Sequence, residues 1–265
     1  MNIQGTTALV TGANGGLGAA IARGLAREGA ALVLTGRRAE ALSPIASELG
    51  ARTIIADLSR REDVARCMRE AGPIDVLVCN AGIPSNGSLL EMSPQHLDDV
   101  LDVMLRAPIH MAREAALAMA SRGRGQIDFI SSVSGLVASP GTTLYSASKF
   151  GLRGFALALR EDLREAGVGV TVVYPGFIRD AGMFADTGVQ LPFGAGTRSP
   201  EDVARAVVRA VRQSPAEIVV AAPDQSLGAF LGNLSHRTTA MLQRWLGAEK
   251  VARALSEAQA HKRRT

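Results

Sequence analysis

Tyr145 and Lys149 stand four residues apart, and Ser132 lies a short distance before them. In a helix, residues i and i+4 share a face, so the phenol and the ammonium would lie side by side. A free tyrosine hydroxyl titrates near pH 10, too high for ready proton exchange at neutral pH, and a nearby cation would favour its phenolate. Ser132, at the end of a strand, would hold a substrate oxygen while Tyr145 gives or takes its proton. Each residue alone is ordinary: Ser ends many strands, Tyr often packs half-buried and Lys usually sits in water. Composition makes the combination informative. Of 29 basic residues only Lys149, Lys250 and Lys262 are lysines, and Tyr145 and Tyr174 are the only tyrosines. The pair therefore uses one of two tyrosines and the one lysine of the first 249 residues.

A second constellation runs Thr11-Gly12-Ala13-Asn14-Gly15-Gly16-Leu17-Gly18. It falls between an apolar β-type run and a helical pattern, where backbone N–H groups and a helix dipole would meet a dinucleotide's phosphates. Gly12 suits a tight turn, Gly16 a close approach of backbone to phosphate, and Gly18 helix–strand contact. No Gly-Lys-Ser/Thr follows, so it is not a P-loop. The next strand ends Thr35-Gly36-Arg37-Arg38, with no carboxylate to bond a ribose diol. Two guanidiniums there suit the extra phosphate of NADP(H), since the planar fork donates two hydrogen bonds at once, and NAD(H) is the lesser alternative.

Positioning these groups requires a parallel sheet. Short apolar runs at 6–10, 31–35, 51–56, 74–79, 126–131, 168–174 and 218–222 alternate with helical patterns running from the glycine turn at 12–18 to about 28, at 39–49 and 60–71, after Ser93-Pro94, at 145–166 and after Ser199-Pro200. Ser before Pro is a helix start signal. The alternation predicts an α/β fold, a doubly wound (Rossmann) parallel sheet of about seven strands with helices on both faces. Residues 1–224 are expected to form one dinucleotide-binding and catalytic domain. Residues 225–265 form a basic C-terminal extension, in which Leu227, Phe230, Leu231, Leu234, Met241, Leu242, Trp245 and Leu246 recur at helical spacing.

The chain has 265 residues, 47% of them hydrophobic, and two cysteines, Cys67 and Cys79, which excludes disorder and a disulfide framework and points to a reducing compartment. Its net charge of +4 is local: residues 225–265 carry seven basic and two acidic groups, while the body is near neutral. With 4% aromatic residues and no basic face, a nucleic-acid partner is not expected. The four histidines show no metal-ligand spacing, and no metal is expected. The first residues show no charged-then-apolar leader and no segment reads as membrane-spanning, so a cytoplasmic location is expected. The tail's helix would pack on its own domain or a second subunit, with docking on an anionic membrane surface the lesser alternative.

Together the motifs resemble those of the short-chain dehydrogenase/reductase family over residues 5–222. They are Gly12, Asn14, Gly16, Leu17 and Gly18 in the turn, Asp57-Leu58 after the third strand, Asn80-Ala81-Gly82 after the fourth, Ser132, Tyr145-Ser-Ala-Ser-Lys149, and Pro175-Gly176 with Ile178 after the sixth. The resemblance implies an oxidoreductase interconverting a secondary alcohol and a ketone by hydride transfer. Tyr145 would be the acid/base, Lys149 would bind the nicotinamide ribose and assist Tyr145, and Ser132 would orient the substrate carbonyl. Asp57 would lie near the adenine, Asn80 would stabilise the central sheet, Arg37 with Arg38 would read the 2′-phosphate, and the turn and Pro175-Gly176-x-Ile178 would line the cofactor. It also implies a homodimer or homotetramer built on the two long helices.

Two positions depart from the family pattern. Met104 stands where the family usually has an Asn that holds a relay water, and a thioether has no donor. Asp180 stands where a Thr often contacts the nicotinamide amide. These departures motivate the alternative of an NADP-binding sensor or scaffold with weakened or lost catalysis. Residues 183–197, with Met183, Phe184, Val189, Leu191 and Phe193, read either as an apolar lid, implying a substantially apolar substrate, or as an ordinary surface loop.

Overall fold

A computed structural model gives the structure of the chain; it describes residues 1–187, 189, 196–223 and 225–226. The expectation of a helical extension at 225–265 therefore falls almost wholly outside the described residues, as does the centre of the 183–197 segment. Seven strands form one parallel sheet: β1 Thr7–Thr11, β2 Ala31–Gly36, β3 Arg52–Ile55, β4 Val76–Cys79, β5 Gly125–Ile130, β6 Val168–Pro175 and β7 Glu217–Val220. Their order is β3-β2-β1-β4-β5-β6-β7, so the chain winds outward from β1 in one direction and then from β4 in the other. This is the doubly wound Rossmann-type arrangement expected from the alternation of apolar runs.

The intervening helices are α1 Gly16–Arg27, α2 Ala39–Leu49, α3 Arg61–Ala71, α4 Pro94–Leu101, α5 Ala107–Ser121, α6 Thr143–Asp162 and α7 Pro200–Gln213. The strands alternate side chains between two buried layers. Leu9, Val33, Leu77, Ile127 and Phe129 point into the layer under α3, α5 and α6. Ala8, Val10, Leu34, Val78 and Val173 point into the layer under α1, α2 and α7. The sheet is covered on both faces, which is why its strands read as continuous apolar runs.

The two Ser-Pro signals mark true helix starts. The Ser93 side chain accepts from the His96 N–H, and Ser199 forms a capping box with Asp202. The helix after Ser93-Pro94 differs from the uninterrupted one expected. A π-helical turn at Asp102–Arg106 joins α4 to α5, and Met104 lies within it. Leu105 in that turn faces Gly151 of α6, where a Cβ would come within 3.2 Å of the Leu105 side chain. A π-turn rotates the following residues relative to an unbroken α-helix and often sits beside a functional site. Among the described residues no helix is long and apolar enough to cross a membrane.

Candidate active site

Strand order reverses between β1 and β4, and at such a switch point the carboxyl ends of neighbouring strands open a crevice. The glycine turn leaves β1 there and Asn80-Ala81-Gly82 leaves β4. A hydroxyl ties the two together: Thr11 Oγ1 accepts from the N–H groups of Asn80 (2.9 Å) and Ala81 (3.0 Å). The Asn80 side-chain amide in turn donates to the Thr11 carbonyl at 2.9 Å. Asn80 thus acts as a clamp across the central strands, as the family resemblance implied, and Ala81 contributes through its backbone.

The turn itself is shaped by contacts only glycine permits. Gly12 has φ +63°, and a Cβ on it would lie 2.9 Å from Ala81 Cα. A Cβ on Gly18 would lie 2.3 Å from the Gly12 carbonyl oxygen, so glycine lets α1 start tight against β1. Gly15 precedes α1 without any side-chain cap, which leaves the first N–H groups of the helix available to an anion. Asn14 reaches across to β2, its Oδ1 2.6 Å from where a Gly36 Cβ would stand. Arg37 and Arg38 follow at once, both exposed. Asp57 accepts from Ser59 N (3.1 Å) and Oγ (2.9 Å) through one oxygen, and its backbone N–H donates to Asp63. These features suit a dinucleotide: an uncapped helix terminus, a glycine cradle, two exposed guanidiniums and a carboxylate with one oxygen unpaired among the described residues.

Several of the residues assigned to the cofactor have side chains directed elsewhere. Leu58 (7% exposed) lies in the layer under α3 and α5, and Ile178 (6%) in the layer under α7. Both can meet a dinucleotide only through backbone. Leu17 packs partly against the α7 layer. Past Pro175 and Gly176, which end and follow β6, the chain forms a strap. Arg179 N–H donates to the Arg198 carbonyl, Arg198 N–H to the Phe177 carbonyl, both at 2.9 Å, and the Phe177 and Phe184 rings meet at 4.8 Å. Asp180 adopts φ +68°, a left-handed conformation that Asp tolerates and a β-branched Thr strongly resists. The next residue, Ala181, lies over the glycine turn, its Cβ 2.3 Å from where a Gly16 Cβ would be, and Met183 Cε is 3.6 Å from the same point on Gly82. The contact of Ala181 and Met183 with the two glycines had no signal in the sequence.

Ser132, Tyr145 and Lys149 approach one another from the end of β5 and the start of α6. Ser132 follows β5 and opens a short 3₁₀ turn, Val133–Gly135, whose Ser134 N–H it accepts at 3.1 Å. Gly135 presses this turn onto α6, since a Cβ there would be 2.9 Å from the Lys149 carbonyl oxygen. Tyr145 and Lys149 lie in the first two turns of α6, and the Lys149 Nζ is 5.7 Å from the Tyr145 ring centre. Lys149 is 4% exposed and donates to the Ile130 carbonyl at 2.9 Å. Burial lowers its pKa to about 8. Burial raises the Tyr145 hydroxyl above its ordinary value, and a hydrogen bond with Ser132 pulls the other way.

Two further buried groups lie close by. Met104 is 1% exposed, with the Ser85 hydroxyl 4.0 Å from its sulfur. Asp128, in the middle of β5, is fully buried; its Oδ1 accepts from Gln126 Nε2 at 2.7 Å, while Oδ2 has no partner among the described residues. Desolvation pushes this carboxyl up to about 8. A polar residue inside the apolar run Ile127-Asp128-Phe129-Ile130 was the one sequence signal of it, and it went unread.

The model of the short chain dehydrogenase family matches residues 6–190. A ketoacyl reductase, HetN, from Nostoc sp. (strain PCC 7120) is 34% identical over 259 residues, covering 92% of this chain and 90% of the relative. The 3-oxoacyl-[acyl-carrier-protein] reductase FabG of Rickettsia prowazekii is 35% identical over 181 residues, covering 68% of this chain and 75% of the relative. Among solved structures, a metagenomic short-chain oxidoreductase in complex with NADP superposes with a TM-score of 0.71 at 34% identity, covering 83% of this chain and 98% of the other. A 3-ketoacyl-(acyl-carrier-protein) reductase from Brucella melitensis complexed with NADH gives 0.74 at 25% identity, covering 82% and 97%.

Proposed function

The chain belongs to the short-chain dehydrogenase family, an NAD(P)-dependent carbonyl–alcohol oxidoreductase family, and from that premise we propose that it is an NADP(H)-preferring reductase of a ketone on a substantially apolar substrate. The two ketoacyl reductases among its relatives make 3-oxoacyl thioesters the first substrate class to test. The observation that carries the reading is the convergence of Ser132, Tyr145 and Lys149 beside the β1/β4 crevice.

A bound nicotinamide supplies or accepts the hydride at the substrate carbon. Ser132 donates its hydroxyl proton in a hydrogen bond to the substrate oxygen and fixes that oxygen beside Tyr145. Burial keeps Tyr145 protonated, so it can donate its proton as negative charge grows on the oxygen; in the alcohol-to-ketone direction it takes the proton back. The phenolate left behind is costly in a buried site, and the Lys149 ammonium at 5.7 Å offsets that cost after the proton has moved. Arg37 and Arg38 would receive the 2′-phosphate, the start of α1 the pyrophosphate, and Asp57 the adenine. The Phe177–Phe184 strap supplies the apolar cover.

The same reading places the enzyme in a reducing, cytoplasmic compartment and as a homo-oligomer. Exposed Leu101, Leu117 and Phe150 on α4, α5 and α6 support association through those helices. The rival, a dinucleotide-binding sensor or scaffold with weakened or lost catalysis, rests on Met104, whose buried thioether lies 4.0 Å from the Ser85 hydroxyl. The decisive measurement is NADPH oxidation by the purified protein across ketone classes, 3-oxoacyl thioesters included. Tyr145→Phe should lower turnover by about 10²–10⁴-fold with NADPH binding retained. Equal turnover by the variant would overturn the mechanism.

A further inference from the structure

One side chain holds the strap where it leaves β6 and where it returns toward α7. Gln225 Oε1 accepts from the Phe177 N–H at 2.9 Å, and Gln225 Nε2 donates to the Gly196 carbonyl at 2.6 Å. A primary amide carries an acceptor and a donor on one carbon, so a single side chain satisfies the N–H of one end and the C=O of the other. A helical turn past β7 brings Gln225 there, with the Ser226 N–H donating to the Ala222 carbonyl at 2.9 Å.

Gly176 leaves room for this contact. A Cβ on it would lie 2.1 Å from Gln225 Oε1 and 2.9 Å from Ala221 Cβ, so any larger residue would push the amide off the Phe177 N–H. Two further bonds tie the same stretch to the strap and its root: the Gly176 N–H donates to the Val220 carbonyl at 2.9 Å, and Arg198 Nε to the Ala221 carbonyl at 3.1 Å. From Phe177 the strap carries Ala181 onto Gly16 and Met183 toward Gly82, one glycine in each wall of the crevice. The Phe177 and Phe184 rings, 4.8 Å apart, make that part of the strap one packed unit anchored at Phe177. Where Gln225 fixes Phe177 therefore decides how closely the strap lies over the glycine turn.

We propose that Gln225 is a positioning residue for the cofactor: by pinning Phe177 and Gly196 together it holds the strap over the glycine turn and slows release of the bound dinucleotide. Its bonds go to the strap and not to Ser132, Tyr145 or Lys149, so the effect falls on cofactor residence and not on hydride or proton transfer. The opening residue of the 225–265 extension thereby has a role at the crevice. The inference rests on the reading that the crevice takes NADP(H), and holds for any ketone substrate.

The test loads full-length wild type, Gln225→Ala and Gln225→Glu with NADPH and follows its release by stopped-flow fluorescence, with excess NADP as displacer. Gln225→Ala should release NADPH roughly tenfold faster, as loss of two hydrogen bonds implies. Its single-turnover hydride transfer at saturating NADPH should stay as in wild type. Amide hydrogen exchange should speed up across residues 176–187 and not in α6. Gln225→Glu keeps the acceptor and, once protonated, the donor. Its release should be fast at about pH 8 and approach the wild-type rate at the same pH as pH falls toward about 5. Unchanged release from Gln225→Ala, with NADPH bound by both proteins, would overturn the proposal, as would a slowed hydride step or a lowered melting temperature with release unaltered. Release from Gln225→Glu that is equally fast at both pH values would overturn it too. A wild-type protein that binds no NADPH would instead overturn the cofactor reading, and this inference with it.

Discussion

The Lys149 ammonium donates to the carbonyl of Ile130 at 2.9 Å, tying the second turn of α6 to the last residue of β5. The lysine is anchored through the backbone of the strand that precedes Ser132, so helix and strand cannot slide without displacing Lys149 and Ser132 relative to each other.

Burial has lowered the Lys149 pKa to about 8, so its charge is lost at a pH where an exposed lysine keeps it. The rate of ketone reduction should fall as pH rises through about 8, because the phenolate formed on Tyr145 then lacks its cation. Lys149→Met should remove most activity and flatten that limb. A pH–rate profile of NADPH oxidation checks both outcomes, and an alkaline limb that survives in Lys149→Met would assign it to another group.

Arg37 is exposed just past β2, and among the described residues it makes no ion pair. Arg37→Ala should weaken NADPH by about 1.5–3 kcal/mol, roughly ten- to a hundredfold, and leave NADH nearly unchanged. Dissociation constants for the two cofactors decide this directly. Equal weakening would show that Arg37 does not read the 2′-phosphate.

Asp128 has a folded-state pKa of about 8 against an ordinary 3.8, and desolvation is the cause. Because the folded value is the higher one, the folded state holds the proton more tightly. The stabilisation is complete below about pH 4 and is lost as pH rises through about 8. Asp128→Asn keeps the acceptor for Gln126 and removes the titration. The stability difference between variant and wild type should therefore move in the variant's favour as pH rises from about 5 to 9. Urea unfolding across that range checks it, and a pH-independent difference would refute it.

Met104 lies in the π-turn with the Ser85 hydroxyl as its polar neighbour. Met104→Asn should raise turnover several-fold if the relay through Lys149 is impaired in the wild type. A protein that only binds the dinucleotide would show no turnover with either residue. Single-turnover NADPH oxidation by both proteins separates the two.

The features legible in the sequence are the ones governed by neighbours in the chain. The strand and helix alternation, the Ser93-Pro94 and Ser199-Pro200 starts, the glycine turn at the head of α1, and the shared face of Tyr145 and Lys149 all follow from local periodicity, capping and backbone freedom. Motif resemblance extended that reach to Asn80 and Ser132. What tertiary structure decided are contacts between distant residues and the burial they produce. Thr11 finds Asn80, 69 residues away, because strand order reverses at β1 and β4. Ala181 settles over Gly16 because β6 lies two strands from β4 and its strap folds back over the crevice. Leu105 meets Gly151 where the π-turn crosses α6. The pKa directions of Tyr145, Lys149 and Asp128 belong to the same class. Desolvation depends on everything packed around a group, and sequence spacing fixes only which groups are near neighbours along the chain.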